Sequence, residues 1–320
     1  MAKKKPFVRL IDGIPRDVHY NAELWRDGLK FIPEKGDLVV LSYPKAGTHW
    51  ILYIVQLILK RGQPVSSNEE FRENMRYLGA AELKGWTPRL PLRLLQTHLL
   101  PRKESISADA KYIYIVRNPW DVAASFFNMV TSMSIYHFQD GSFEEFLDAF
   151  LSNDVAGHGN YFDHLVSGHD IKDEPNVFFV CYEDLIEDTQ GTILKLARFL
   201  GEDYANELQE NEQLLQKLLE RCAAENMREV MVENFDVISV PGLNDLKENI
   251  TCKDGYNGDS SKYCLVRKAK VGSWKEYFSP EQLRRMEAAI RRTEEISPAM
   301  DLWRSMRGEA VAASGIEHRK

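Results

Sequence analysis

Three runs of β-branched and aromatic residues, each followed by a stretch with helical spacing, constrain the fold of this chain most strongly. The runs cover residues 37–43, 111–116 and 176–182. The helical stretches that follow them cover residues 50–60, 120–131 and 192–200. Strands that are apolar along their whole length and alternate with helices are typical of a parallel sheet with helices on both faces. The sequence therefore predicts an α/β fold, with a shorter run at 93–97 as a fourth candidate strand.

The rest of the chain is predicted to be mostly helical. Helical spacing occurs at residues 143–151, 206–219 and 280–292. Residues 240–262 are rich in Gly, Asn and Asp and are expected to form a surface loop, and periodicity is lost in 296–320, which predicts a loose tail. Because no linker divides the chain, we expect a single domain over 1–320, with 1–36 as an N-terminal extension that packs on the core.

Composition and charge exclude several classes of protein. The formal net charge is −7, from 41 Lys and Arg against 48 Asp and Glu, which disfavours a nucleic-acid-binding surface. The longest apolar run, 50–59, has about half the length needed to span a bilayer. The first residues do not form a secretory signal, so we expect a cytoplasmic protein. The four cysteines form no C-x-x-C pair, which predicts free thiols and no metal site.

Each candidate strand ends at a residue capable of chemistry. These residues are Lys45, His98, Arg117 and Tyr182. Ligands of open parallel sheets bind outside the carboxyl ends of the strands, so the four side chains are expected to meet at one site. The alternative is that each of them is a polar side chain without a function, placed where a buried strand reaches solvent.

The segment between the first strand and its helix has the properties of an anion-binding turn. Backbone N–H groups at a helix N-terminus favour bound anions, Gly47 permits a tight turn, and Lys45 adds a positive charge. The order differs from the Walker A pattern, because the lysine precedes the single glycine. An NTPase or nucleotide kinase on a related scaffold therefore fits poorly, although it stays a third alternative.

Five segments, in order along the chain, resemble the cytosolic sulfotransferases, which use 3′-phosphoadenosine 5′-phosphosulfate (PAPS). They are YPKAGTHW at 43–50, THLLP at 97–101, YIVRNP through serine at 114–125, VCYEDL at 180–185 and RKAKVGSWK at 267–275. The resemblance extends over about residues 37–278 and implies the P-loop-like sulfotransferase architecture.

The resemblance implies two cationic clusters that bind the two ends of PAPS. The implied donor-binding residues are Lys45, Ala46, Gly47, Thr48, His49, Trp50, Arg117, Ser125, Tyr182, Arg267, Lys268 and Ala269. Arginine suits the 3′-phosphate because its planar fork makes bidentate contacts with phosphate oxygens. Two local clusters of this kind also explain how an acidic chain binds a highly anionic nucleotide.

His98 is the candidate general base, and Lys45 is expected to stabilise the leaving bisphosphate. An imidazole titrates near working pH, as the removal of a proton from an attacking hydroxyl or amine requires. The resemblance implies in-line transfer of a sulfuryl group from PAPS to a small phenol, catechol or monoamine, with no metal ion.

Four departures from the family pattern bear on this hypothesis. Gln96 stands where the family has a lysine, Ala224 where it has a phenylalanine against the adenine, and Ala269 where it has a glycine. The family's dimer segment is not matched after Lys275, so a homodimer is left open. The second alternative is therefore a protein that binds PAPS or its product PAP with weak or lost catalysis.

Overall fold

The elements of the chain alternate between strands and helices in the computed structural model, which describes residues 4–152, 155–246 and 248–315. Within these ranges the strands are β1 (Arg9–Ile11), β2 (Ile14–Arg16), β3 (Asp37–Ser42), β4 (Met75–Tyr77), β5 (Arg93–Thr97), β6 (Lys111–Val116), β7 (Val177–Cys181), β8 (Val232–Asn234) and β9 (Lys262–Cys264). The α-helices are α1 (Ala22–Lys30), α2 (Thr48–Leu59), α3 (Asn68–Glu73), α4 (Pro119–Ser132), α5 (Phe143–Leu151), α6 (Tyr161–Asp170), α7 (Tyr182–Glu187), α8 (Thr189–Leu200), α9 (Glu202–Glu210), α10 (Glu212–Cys222), α11 (Ala224–Val230), α12 (Pro241–Leu246), α13 (Pro280–Glu294) and α14 (Arg304–Ser314). Short 3₁₀ helices cover Lys103–Ser105, Ser134–Tyr136, Ser273–Glu276 and Pro298–Trp303.

The central sheet is parallel, in the order β4-β5-β3-β6-β7. This confirms the predicted α/β fold and the four predicted strands. The edge strand β4 was not predicted, because three residues are too few to show a pattern. The chain crosses from one side of β3 to the other between β5 and β6, so the carboxyl end of β3 is the topological switch point.

Helices cover both faces of the sheet, and alternate residues of each strand point to opposite faces. In β3, Leu38 and Val40 pack in one core with α2, α8 and α10. Val39 and Leu41 pack in the other core, with α4, α5, α6 and α13. The strand is therefore apolar throughout because both of its faces are buried. No helix in the described part of the chain is long and apolar enough to cross a membrane.

The N-terminal segment lies against the same core. The amide of Phe7 donates to the carbonyl of Tyr136 (2.7 Å), and Val18 is fully buried. The ring of Tyr20 packs on Trp25 with centroids 4.4 Å apart. These contacts agree with an extension that packs on the core, while the single domain over 1–320 stays a prediction.

The expectation of a loose tail from residue 296 is wrong for its described part. The 3₁₀ helix and α14 cover residues 298–314, and Met300 and Trp303 are buried. The indole Nε1 of Trp303 donates to Oε2 of Glu183 (2.8 Å). The apolar residues that anchor this segment fall within one short turn and are too few to show helical periodicity. The last residues, 316–320, lie outside the described residues.

Two other predicted segments differ from the structure. The helix predicted over 206–219 is two helices, because the side chain of Asn211 accepts from the amide of Leu214 (3.0 Å) and begins α10 there. The predicted surface loop 240–262 contains α12, and Cys252 within it is buried. Gly255, Asn257 and Gly258 within it have positive φ and turn the chain back on itself.

Candidate active site

One cavity of about 1360 Å³ lies at the carboxyl edge of the sheet. All the predicted site residues except Ala46 line it: Lys45, Gly47, Thr48, His49, Trp50, His98, Arg117, Ser125, Tyr182, Arg267, Lys268 and Ala269. Gln96 and Ala224, two of the departures from the family pattern, line it as well. Ala46 is buried beneath the loop, and its N–H donates to the carbonyl of Tyr43 (3.2 Å). The structure therefore brings together the residues predicted to bind PAPS, with Ala46 behind the cavity wall.

The turn after β3 directs a helix N-terminus at the cavity. Lys45 and Gly47 both have positive φ, +69° and +108°. A Cβ atom on Gly47 would lie 2.6 Å from the ring of Tyr182, so only glycine fits there. α2 begins at Thr48, whose hydroxyl lies 2.7 Å from that of Ser42. The first amides of a helix have no partner within the helix, and they provide donors for an anion.

Lys45 shares the cavity with other positive charges. Burial, and then the charges of Arg267 and Arg117, lower the pKa of Lys45 to about 8. Burial also lowers the pKa of the neighbouring His49 to about 3, so that ring is neutral. An anion bound among the three cations would relieve their mutual repulsion and restore the ordinary protonation of the lysine.

Arg117 is held in place and keeps one donor unpaired. One Nη donates to the carbonyl of Lys270 (3.0 Å) and the other to that of Lys45 (3.4 Å). The guanidinium lies 4.4 Å from the centre of the Tyr182 ring. Its Nε is buried and has no hydrogen-bond partner among the described residues. A buried donor without a partner is unfavourable, and because this nitrogen has almost no accessible surface it does not itself face the cavity.

Asp121 fastens the loop 267–274 to α4. Its two carboxylate oxygens accept from the amides of Gly272 (2.8 Å) and Trp274 (3.0 Å), and it lies 3.6 Å from Arg117. Asp121 was not predicted from the sequence, because Arg117 precedes the helix and the contact with the loop 267–274 joins segments far apart in the chain. Asp121 connects the two parts of the second cationic cluster.

The loop 267–274 carries the remaining cations of that cluster. An Nη of Arg267 donates to the hydroxyl of Tyr277 (3.4 Å), and Lys268 pairs with Glu276. Ala269 has a φ of +50°, a left-handed conformation that favours glycine. Ser125 of α4 lines the same part of the cavity. The backbone of Ala269 is therefore strained at the position where the family that the sequence resembles has glycine.

Two aromatic rings form the wall between the cationic clusters. The rings of Trp50 and Tyr182 lie 5.4 Å apart at 67°. The indole Nε1 of Trp50 donates to the carbonyl of Cys222 (2.9 Å), which fixes the ring beside Ala224 at the start of α11. A planar base can pack on these rings in place of the missing phenylalanine.

His98 follows β5 and presents one nitrogen as an acceptor. Its Nδ1 lies 2.7 Å from the carbonyl oxygen of Ser42, an arrangement that places a proton on Nδ1 and a lone pair on Nε2. Burial lowers the pKa of His98 well below its ordinary value, so the ring is neutral but, contrary to the expectation from the sequence, does not titrate near working pH. The amide nitrogen of Gln96 lies 3.4 Å from Nε2. The imidazole is thus in the form that accepts a proton.

A polar group beside His98 was not predicted from the sequence. It consists of Asp17, His19, Tyr136 and His158, all of which line the cavity. The rings of His98 and His158 are perpendicular, with centroids 5.5 Å apart. No motif signals this group, because its members come from segments far apart in the chain.

Comparison with known proteins identifies relatives of this chain. Residues 35–304 match a family model described as a sulfotransferase domain. The chain is 28% identical to sulfotransferase 1B1 of the dog (Canis lupus familiaris) over 298 residues, 88% of this chain and 92% of that protein. It is 30% identical to a 3-alpha-hydroxysteroid sulfotransferase of Cavia porcellus over 259 residues, 79% and 82% of the two chains. The fold is similar to that of mouse sulfotransferase SULT7A1, solved with PAP, with a TM-score of 0.66 at 23% identity over 96% of this chain and 99% of that chain.

Proposed function

This chain belongs to the sulfotransferase family, and we propose that it transfers a sulfuryl group from PAPS to a hydroxyl or amine of a small phenol-, catechol- or monoamine-type molecule. The observation that carries the proposal is the neutral imidazole of His98 in the same cavity as two cationic clusters. The cytoplasmic location and the homodimer left open by the sequence stay predictions.

The cavity fits a nucleotide that is anionic at both ends. Lys45 and the N-terminus of α2 form one cluster, and Arg117 with Arg267 forms the other. The lowered pKa of Lys45, which burial and the charges of Arg267 and Arg117 produce, is a feature that a bound phosphate group would relieve. Pockets for one small ligand commonly have volumes of about 300–1,000 Å³, so a cavity of about 1360 Å³ accommodates a donor and an acceptor.

In this proposal the residues of the chain divide the work between donor and acceptor. PAPS, when bound, supplies an activated sulfuryl group on a bisphosphate leaving group. Nε2 of His98 takes the proton of the attacking hydroxyl or amine, and the carbonyl of Ser42 stabilises the imidazolium that results. Lys45 and the amides of the turn stabilise the charge that develops on the leaving bisphosphate during in-line attack.

The second candidate function is binding of PAPS or PAP with weak or lost catalysis. It is favoured by Gln96, whose uncharged amide lies 3.4 Å from Nε2 of His98 where the resembling family has lysine. Loss of one charged donor at a reacting centre costs on the order of 10²-fold in rate. His98, Lys45 and Arg117 are all present, which supports catalytic turnover.

Labelled transfer separates the two functions. The full chain is incubated with 35S-labelled PAPS and, in parallel, with phenol, catechol and tyramine, while calorimetry measures the Kd for PAP. Sulfuryl transfer to any of the three acceptors supports the proposed enzyme. Tight PAP binding without transfer to a broad acceptor panel would establish the binding protein instead, and absence of PAP binding would contradict both.

A further inference from the structure

His158 is a second imidazole in the acceptor part of the cavity. It comes before α6 and lies perpendicular to His98, with the ring centroids 5.5 Å apart. Only 5% of its side chain is exposed, and its ring also contacts Phe126 and Tyr20, with centroids 5.8 and 6.1 Å away. The ring is therefore fixed by packing beside the proposed base, although the reaction described above does not use it.

Asp17 contacts one of the two ring nitrogens of His158. Nε2 of His158 lies 3.2 Å from Oδ2 of Asp17, which is itself buried. Burial acts to raise the pKa of Asp17, but the charges of His19 and His158 and their hydrogen bonds hold it well below its ordinary range. The ionised carboxylate therefore accepts from Nε2 of His158, and Nδ1 is the ring nitrogen that does not contact Asp17.

The same carboxylate is not available as the counter-ion of a cationic amine. Its Oδ1 lies 2.5 Å from Nδ1 of His19 and accepts from the amide of that residue (3.0 Å). Its Oδ2 accepts from the hydroxyl of Tyr136 (3.1 Å) in addition to facing His158. Because each carboxylate oxygen already has two hydrogen-bond contacts, Asp17 orients the neighbouring side chains and does not itself bind the acceptor.

The loop that carries His158 has a glycine on each side of that residue. Gly157 has a φ of +73°, and a Cβ atom there would lie 2.2 Å from the backbone of Arg16 and 2.5 Å from the amide of Asp17. Gly159 has a φ of +76°, and its carbonyl accepts from the hydroxyl of Tyr43 (3.1 Å). Glycine on each side thus permits the chain to bring His158 directly against Asp17.

We propose that His158, positioned by Asp17, is a second contact point for the acceptor and binds a hydroxyl adjacent to the one that His98 deprotonates. Hydrogen bonds between a ring nitrogen and an oxygen extend about 2.9 Å, so two imidazoles with centroids 5.5 Å apart can each contact one of two neighbouring oxygens. The preferred acceptors are then small molecules with two vicinal hydroxyls. This inference rests on the proposed function, since it takes His98 as the base.

Acceptor preference tests the inference. We compare kcat/KM for catechol, phenol, 2-methoxyphenol and resorcinol in the wild-type protein and in the variants His158→Gln and His158→Asn. The wild type is expected to prefer catechol about tenfold over the other three, which lack a second hydroxyl or carry it at a non-adjacent carbon. A glutamine amide reaches the Nε2 position and keeps the contact with Asp17, whereas an asparagine amide occupies the Nδ1 position.

The two variants therefore separate recognition from packing. His158→Gln is expected to lose the tenfold preference, chiefly through KM for catechol, while His158→Asn keeps most of it. Asp17→Asn, which removes the orienting charge, is expected to weaken the preference in the same way. His169→Gln, a histidine of α6 outside the cavity wall, serves as the matched control and leaves the preference unchanged.

The outcomes distinguish this inference from the function on which it rests. Equal use of catechol and phenol by the wild type overturns the inference, and so does a preference that survives in His158→Gln. Unchanged PAP affinity in each variant shows that the donor site is intact. Absence of transfer to every acceptor overturns the proposed function and the inference together, whereas transfer without preference overturns the inference alone.

Discussion

The carbonyl oxygen of Ser42 lies 2.7 Å from Nδ1 of His98, and this contact determines which nitrogen of the imidazole can accept a proton. Ser42 is the last residue of β3, and its hydroxyl lies 2.7 Å from that of Thr48, the first residue of α2. One strand end therefore orients the proposed base and supports the turn that is proposed to bind the donor. A displacement of this strand end would affect both halves of the site.

Donor affinity is expected to fall as Lys45 loses its proton. The pKa of Lys45 is lowered to about 8, and a bound bisphosphate favours the charged form. The affinity for PAP is then full below that pKa and is lost above it. Only Lys45 changes its charge in this range, because the phosphates of PAP are already ionised above about pH 7. Calorimetry should show that the Kd for PAP rises about thirtyfold between pH 7 and 9.5.

Lys45→Arg is the control for this titration, because guanidinium stays charged over the whole range. Its Kd for PAP is expected to change little between pH 7 and 9.5. A wild-type Kd that is equally flat would show that Lys45 does not meet the donor as an ammonium group.

Gln96 is expected to contribute to turnover through its amide and to do so less well than a charged side chain. Gln96→Leu removes the donor next to Nε2 of His98 and should lower kcat about tenfold. Gln96→Lys introduces the charge found in the resembling family and should raise kcat by up to about 10²-fold. Steady-state rates with 35S-labelled PAPS measure both, and a Gln96→Leu variant with wild-type kcat would contradict the role given to the amide.

Ala269 is expected to be replaceable by glycine with a gain in stability. Its φ of +50° costs a non-glycine residue roughly 1–2 kcal/mol, whereas glycine adds unfolded-state entropy of about 0.5–1 kcal/mol. The free energy of unfolding in urea should therefore rise by about 0.5 kcal/mol in Ala269→Gly. The control, Ala288→Gly on the exposed side of α13, should lower it by about 1 kcal/mol. A similar loss in both variants would show that the loop conformation is not strained.

Asp121 is expected to support donor binding through the loop that it fastens. Asp121→Asn replaces an acceptor of the Gly272 and Trp274 amides with a weaker one. The Kd for PAP should rise at least tenfold because the Arg267 loop loses its fixed position. Calorimetry measures the affinity, and chemical denaturation measures stability separately. Lower stability with unchanged affinity would make Asp121 a structural residue with no part in donor binding.

Much of the fold was predictable because burial on both faces makes a strand apolar at every position. That rule located β3, β5, β6 and β7, and it placed Lys45 and Arg117 at one edge. It failed where length was insufficient, as in the three residues of β4. Helical spacing over 206–219 gave no sign of the break at Asn211, where a side-chain hydrogen bond begins a new helix.

The residues proposed to bind the donor could be found in the sequence for a related reason, and those proposed to bind the acceptor could not. Residues 43–50 and 267–275 each carry several of the proposed donor-binding side chains within one short segment, so local patterns mark them. Asp17 and His158 meet through the packing of two distant loops against each other. Neither residue has a distinctive neighbour in sequence, and only the folded chain brings them together.

The central claim is that His98 removes the proton from the acceptor in a cavity that holds PAPS, and its most direct test is sulfuryl transfer by His98→Ala. The rate of 35S transfer to phenol should fall by about 10²–10⁴-fold, while the Kd for PAP stays within about threefold of the wild-type value. Transfer at the wild-type rate by this variant would contradict the claim.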